Sequence, residues 1–82
     1  VQSCVTAPVY QYEFDALVDA AYNAGASAVC NSPMVYYTNL QQYELACEAY
    51  KTWYTHDHKG NLIKGLINRR QTEYQMCIGA KP

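Results

Sequence analysis

GNLIKGLINRRQTEYQMC, residues 60–77, is the stretch on which the reading of this chain turns. It opens on Gly60-Asn61, runs through LIKGLIN (62–68), meets Arg69 and Arg70, and passes into EYQMCI (73–78). Short apolar runs bounded by polar turn formers read as β-strands. Both runs are therefore expected to be strands, with Gly65 marking a bulge or a close backbone approach. Arg69 and Arg70 then stand at the end of one strand, just before a polar loop and Cys77.

Working towards the N-terminus, HDHKGN (56–61) is a turn-forming hexapeptide. EAYKTWYT (48–55) is aromatic and β-branched and reads as another strand. Residues 40–47 fit a short helix through Leu40, Tyr43 and Cys47, with a strand as the competing assignment. PMVYYTN (33–39) has strand propensity but begins at a proline. In EFDALVDAAYNA (13–24), Phe14, Leu17, Val18, Ala21 and Tyr22 share one helical face, and Gly25 is a natural stop. SCVTA (3–7), closed by Pro8, suggests an edge strand. The expected fold is α+β: one N-terminal helix packed on an antiparallel sheet, in a single domain spanning residues 1–82.

The chain is half apolar, enough to fold, but 82 residues leave a small core that needs staples. Cys4, Cys30, Cys47 and Cys77 are even in number and show no zinc-ligand spacing, so two disulfides in an oxidising compartment are expected. The sequence leaves three pairings open. Val1 reads as the start of a processed, secreted chain. No apolar run approaches the ~20 residues that span a membrane. The net charge of −1 hides an asymmetry: residues 1–50 hold five acids and no Lys or Arg, whereas residues 51–82 hold all six. A basic face for phosphates or an acidic protein is one outcome, and interleaving of the two sets in space is the other.

Candidate chemistry is sparse. His56 and His58 flank Asp57, but a metal site needs further ligands, so neither a metal nor a cofactor is expected. Arg69 and Arg70, with Trp53, Tyr54 and Tyr74 near them, would make a basic–aromatic platform for single-stranded nucleic acid.

The order of elements resembles the small secreted guanyl-specific fungal ribonucleases. The resemblance rests on the Cys4 strand, the helix DALVDAAYNAG, the P-x-x-Y-x-N of residues 33–39, and the closing frame Gly65, Leu66, Ile67, Asn68, Arg69, Tyr74 and Cys77. It implies a microbial-ribonuclease-like fold, with Tyr36 or Tyr37 at the active-site tyrosine and Arg69 where that family has its general-acid histidine. Arginine cannot exchange a proton near neutral pH. No base glutamate matches securely, since EAYKTWYT carries its acid at Glu48. The chain thus resembles the catalytically inactive ribonuclease-like effectors of powdery mildews. That likeness implies a non-enzymatic protein exported into plant cells, binding a host protein, an immune receptor or RNA through Tyr36, Tyr37, Trp53, Arg69, Arg70 and Tyr74. It also implies a Cys4–Cys77 bridge, leaving Cys30 to Cys47. The rival readings are a killer-toxin-like α+β protein, and a weak nuclease using Glu44 or Glu48 with His56 or His58.

Overall fold

The amphipathic stretch around DALVDAA forms α1 (Gln11–Ala24). At its start the Glu13 carboxylate accepts the Tyr10 N–H at 2.8 Å, satisfying one of the donors a helix leaves unpaired. At its end Gly25 adopts φ 98° and ψ 149°, a backbone region almost closed to residues with a Cβ, and the chain turns directly into α2 (Ala26–Cys30). The computed structural model describes residues 3–57 and 59–79. Val1 and His58, both used above, lie outside the described residues.

Beyond α1 the expected architecture is overturned. The remaining helices are α3 (Pro33–Asn39), α4 (Tyr43–Ala49) and α5 (Lys64–Cys77), and no sheet forms among the described residues. PMVYYTN is helical because Ser32 caps it, its hydroxyl accepting the Val35 N–H at 3.4 Å, and Pro33 occupies the first turn with its φ already helical. Of the two assignments for residues 40–47, the helix holds only from Tyr43, running on to Ala49; Leu40 instead caps the end of α3. EAYKTWYT is no strand: Glu48 and Ala49 finish α4, and Tyr50 and Lys51 continue in tight turns. SCVTA forms a turn rather than an edge strand.

Within HDHKGN the described residues Lys59 and Gly60 turn the chain, as the composition suggested. The Asp57 carboxylate accepts N–H groups from Lys59 and Asn61, each at 2.9 Å, and a single antiparallel bridge joins His56 to Leu62. The Asn61 N–H above all holds the Asp57 carboxyl below its usual range.

The two supposed strands of residues 62–78 are one helix, α5, and Gly65 sits within its first turn rather than at a bulge. The residues α5 buries include Arg70, Glu73 and Cys77, spaced as one helical face. Two of the three are charged, so the period that marks a helix is hidden from hydropathy.

α1 packs chiefly against α5, and α3 against α4. The core gathers Ala16, Leu17, Ala20, Val29, Met34, Val35, Cys47, Tyr50 and Cys77. No helix among the described residues is long and apolar enough to cross a membrane.

The disulfides are Cys4–Cys30 and Cys47–Cys77. The Cys4–Cys77 bridge implied by the ribonuclease resemblance is therefore corrected. The first bridge ties the N-terminal segment to the end of α2, and the second ties α4 to α5. The Asn39 side chain reinforces the first, accepting from Thr6 N–H at 2.8 Å and donating to the Cys4 carbonyl at 2.9 Å.

The bridges close loops with sequence separations of 26 and 30 residues. Each is expected to contribute about 3–4 kcal/mol through loop closure. Peptide mapping of the oxidised chain will recover Cys4 with Cys30 and Cys47 with Cys77; a Cys4–Cys77 peptide would contradict this fold. Gly25→Ala is expected to cost about 1–3 kcal/mol in thermal unfolding, because alanine cannot hold this backbone without strain.

Candidate functional site

Arg70 and Glu73 lie one turn apart on α5, and both side chains are fully buried. Arg70 Nε sits 2.7 Å from Glu73 Oε1 as an ion pair, and Arg70 Nη2 donates to Glu73 Oε2 at 3.0 Å. The same Nη2 donates to Asn23 Oδ1 on α1 at 2.8 Å, and Nη1 donates to the Tyr54 carbonyl at 3.4 Å. The guanidinium also lies 5.1 Å from the centre of the Trp53 ring. One cation thus joins α5, the last turn of α1 and the segment after α4. Tyr54 holds a φ of 51°, unusual for a bulky residue, with its carbonyl turned to Arg70.

Two carboxylates meet at this clamp. Burial first, then a hydrogen bond with Asp19, push the Glu73 carboxyl up to about 8, while Arg70 pulls against both. Burial, followed by the charge of Glu73, also raises the Tyr50 phenol, so that ring stays neutral. A raised glutamate beside an aspartate is the pattern of a glycosidase acid. The geometry argues against that role. Glycosidase carboxyls stand open to the sugar between them, whereas the Glu73 side chain is fully buried and paired with Arg70. Buried beside Arg70, Glu73 serves the packing of α5.

Above the clamp an open groove of about 370 Å³ is lined by Asp19, Gly65, Asn68, Arg69 and Thr72. It offers a carboxylate, a guanidinium, an amide and a hydroxyl. Asp19 belongs to both places, bordering the groove and helping to raise the Glu73 carboxyl. Such a groove can hold a ligand rich in hydroxyl, amide or carboxylate groups.

The residues singled out from the sequence are dispersed. Arg69 is exposed and lines the groove. Arg70 is inside the protein, not on a basic surface, and this corrects its assignment as a ligand contact. Trp53 does meet Arg70, but as part of the clamp. Tyr74 lies under Lys51, whose Nζ is 4.2 Å from the ring centre, and its hydroxyl donates to Glu48 at 3.4 Å. Tyr36 and Tyr37 pair edge to face with each other on α3. Two of the five cations among the described residues are thus spent on acids, Arg70 on Glu73 and Lys51 on Glu48, so the basic half of the sequence is partly interleaved with carboxylates. His56 contacts Thr55 Oγ1 at 3.0 Å within its turn. Asn23 and Asp19 escaped the sequence reading; the Arg-x-x-Glu spacing of RRQTE was the available signal for the clamp.

Arg70→Met should cost about 3–5 kcal/mol by stranding the buried Glu73, and adding Glu73→Leu should recover much of that loss. The folded protein binds the Glu73 proton more tightly than the unfolded chain, whose value is near 4.5. Stability should therefore fall as pH rises from 4.5 towards about 8 and level off above it, and Glu73→Gln should flatten that slope in thermal melts.

A model of the phage lysozyme family matches residues 1–73. The endolysin of Bacillus phage PZA is 33% identical over 82 residues, covering 100% of this chain and 31% of the endolysin. That of Bacillus phage B103 is 33% identical over 78 residues, 95% of this chain and 29% of the endolysin. That of Salmonella phage P22 is 34% identical over 53 residues, 65% and 36% respectively. The chain spans about a third of the length of these relatives. The match overturns the ribonuclease-like effector reading and its killer-toxin and nuclease rivals. The non-enzymatic role, the plant-protein, immune-receptor and RNA partners, and the export into plant cells fall with it. The helical fold agrees: with no sheet among the described residues there is no ribonuclease frame for Arg69 to disable. The chain belongs to the phage lysozyme family.

Proposed function

We propose that this chain is part of a lysozyme-class glycosidase that cuts the glycan strands of bacterial peptidoglycan. The observation that carries the reading is the family match over residues 1–73, joined by 33% identity across the whole chain to a protein named an endolysin. The polar groove supports it. Peptidoglycan presents sugar hydroxyls, N-acetyl amides and peptide carboxylates, and Asp19, Asn68, Arg69 and Thr72 offer partners for each.

In this reading the helical unit binds and orients the polymer. Glycoside cleavage needs one protonated carboxyl at the glycosidic oxygen and a second carboxylate across the bond. Glu73 is buried against Arg70, so it is not free to supply either group. The clamp then has a positioning role: it fixes Asn23 and the end of α1 relative to Arg69.

The test is a chimera in which this chain replaces its matching segment of the PZA phage endolysin. The folded chimera should release reducing ends from purified peptidoglycan. Arg69→Ala in that chimera should raise KM about fivefold with little change in kcat, the mark of a lost binding contact. A folded chimera that releases no reducing ends would contradict the proposal.

A further inference from the structure

A second groove, of about 400 Å³, lies at the start of α1 and is lined by Pro8, Val9, Tyr10, Tyr12, Glu13 and Tyr43. Its volume falls in the range of small-molecule sites. Tyr10 and Tyr12 stack with ring centres 5.4 Å apart and planes 12° from parallel, and Tyr10 is 70% exposed. A large aromatic ring left this open beside a second one makes a flat apolar floor among the described residues.

The floor is held in place. The Tyr43 hydroxyl donates to the Pro8 carbonyl at 2.6 Å, and Glu13 takes the Tyr10 N–H through Oε1. The Cys4–Cys30 bridge and Asn39 pin the segment that leads into Pro8. Tyr12 rests against Gly79, where a Cβ would come within 3.1 Å of the ring, so the backbone itself supports the aromatic pair.

The rim chemistry selects the ligand. The proton of Tyr43 is committed to Pro8 and one oxygen of Glu13 to the Tyr10 amide, so the second Glu13 oxygen is left as a carboxylate acceptor at the rim, beside the phenol groups of Tyr10 and Tyr12. A proline-rich backbone has no N–H to give that carboxylate. A pyranose does have donors. Its hydroxyls donate, and its axial C–H face carries partial positive charge that suits the negative face of an aromatic ring.

We propose that the Tyr10–Tyr12 groove is a saccharide-binding site, distinct from the groove beside Arg69, that takes one sugar of an N-acetylated glycan. The sugar stacks on Tyr10 and donates hydroxyls to Glu13 and Tyr43. The choice of an N-acetylated glycan rests on the cell-wall reading above. In that setting the site would hold the protein on the polymer away from the bond being cut.

The test is an NMR titration of the oxidised 82-residue chain with chitotetraose. Shifts should centre on Tyr10, Tyr12, Glu13 and Tyr43. Tyr10→Ala should weaken binding about tenfold and Tyr10→Trp should keep it, a contrast that loss of a stacking face explains. Shifts elsewhere only, equal affinity in Tyr10→Ala, or saturation of these residues by a polyproline peptide but not by chitotetraose would each overturn the site. Equal pelleting of wild type and Tyr10→Ala with purified peptidoglycan would reject this groove and leave the cell-wall reading standing. Chitotetraose shifts at Tyr10 in a chain whose chimera cuts nothing would uphold the groove and reject the glycosidase.

Discussion

The structure depends on one buried cation. Arg70 is fully enclosed and spends its donors on Glu73, Asn23 and the Tyr54 carbonyl, with Trp53 against its face. Burying a charged group is expensive, and such a cluster repays the cost only when the remaining hydrogen-bonding groups are also satisfied. Arg70 comes close to that condition by recruiting partners from three separate stretches of chain. The result is a fixed geometry more than a large net stabilisation: α5 cannot slide or rotate against α1 without stranding a charge. Lysine could not substitute, because a single ammonium lacks the planar fork that reaches Glu73, Asn23 and Tyr54 together.

The rest of the scaffold supplies what this polar centre cannot. Ala16 and Ala20 are fully buried on α1, and small side chains there let neighbouring helices approach closely. Cys47–Cys77 fastens the end of α5 to α4, and Cys4–Cys30 fastens the N-terminal segment to α2, so both ends of the described chain are covalently anchored. These constraints hold two grooves in register, one lined by Asp19 and Arg69 and the other by Tyr10 and Tyr12.

What was legible in the sequence follows from what each helix buries. α1 buries Ala16, Leu17 and Ala20, so its period shows directly, although Tyr22 on the expected apolar face is 86% exposed. α5 buries Arg70 and Glu73, residues that hydropathy assigns to solvent, and only short apolar runs remained to suggest strands. α3 was misread because Val35, Tyr36 and Tyr37 favour strands, while the Ser32-Pro33 start signal was passed over. The error then compounded. Supposed strands made a sheet, the sheet suggested a ribonuclease, and the ribonuclease suggested a Cys4–Cys77 bridge and a catalytic position for Arg69. Disulfide number was recoverable from cysteine count; pairing needed the fold. Asn23 and Asp19 gave no signal, since their role depends on α1 lying against α5.

The most direct test of this account is amide hydrogen exchange along residues 64–77 in the oxidised chain. If Arg70 and Glu73 clamp a helix, the amides from Arg70 to Cys77 will be among the slowest to exchange, opening only with global unfolding, and their Cα shifts will be helical. Rapid exchange there, or extended-chain shifts alternating along residues 62–68 and 73–78, would contradict the clamp and the fold built on it.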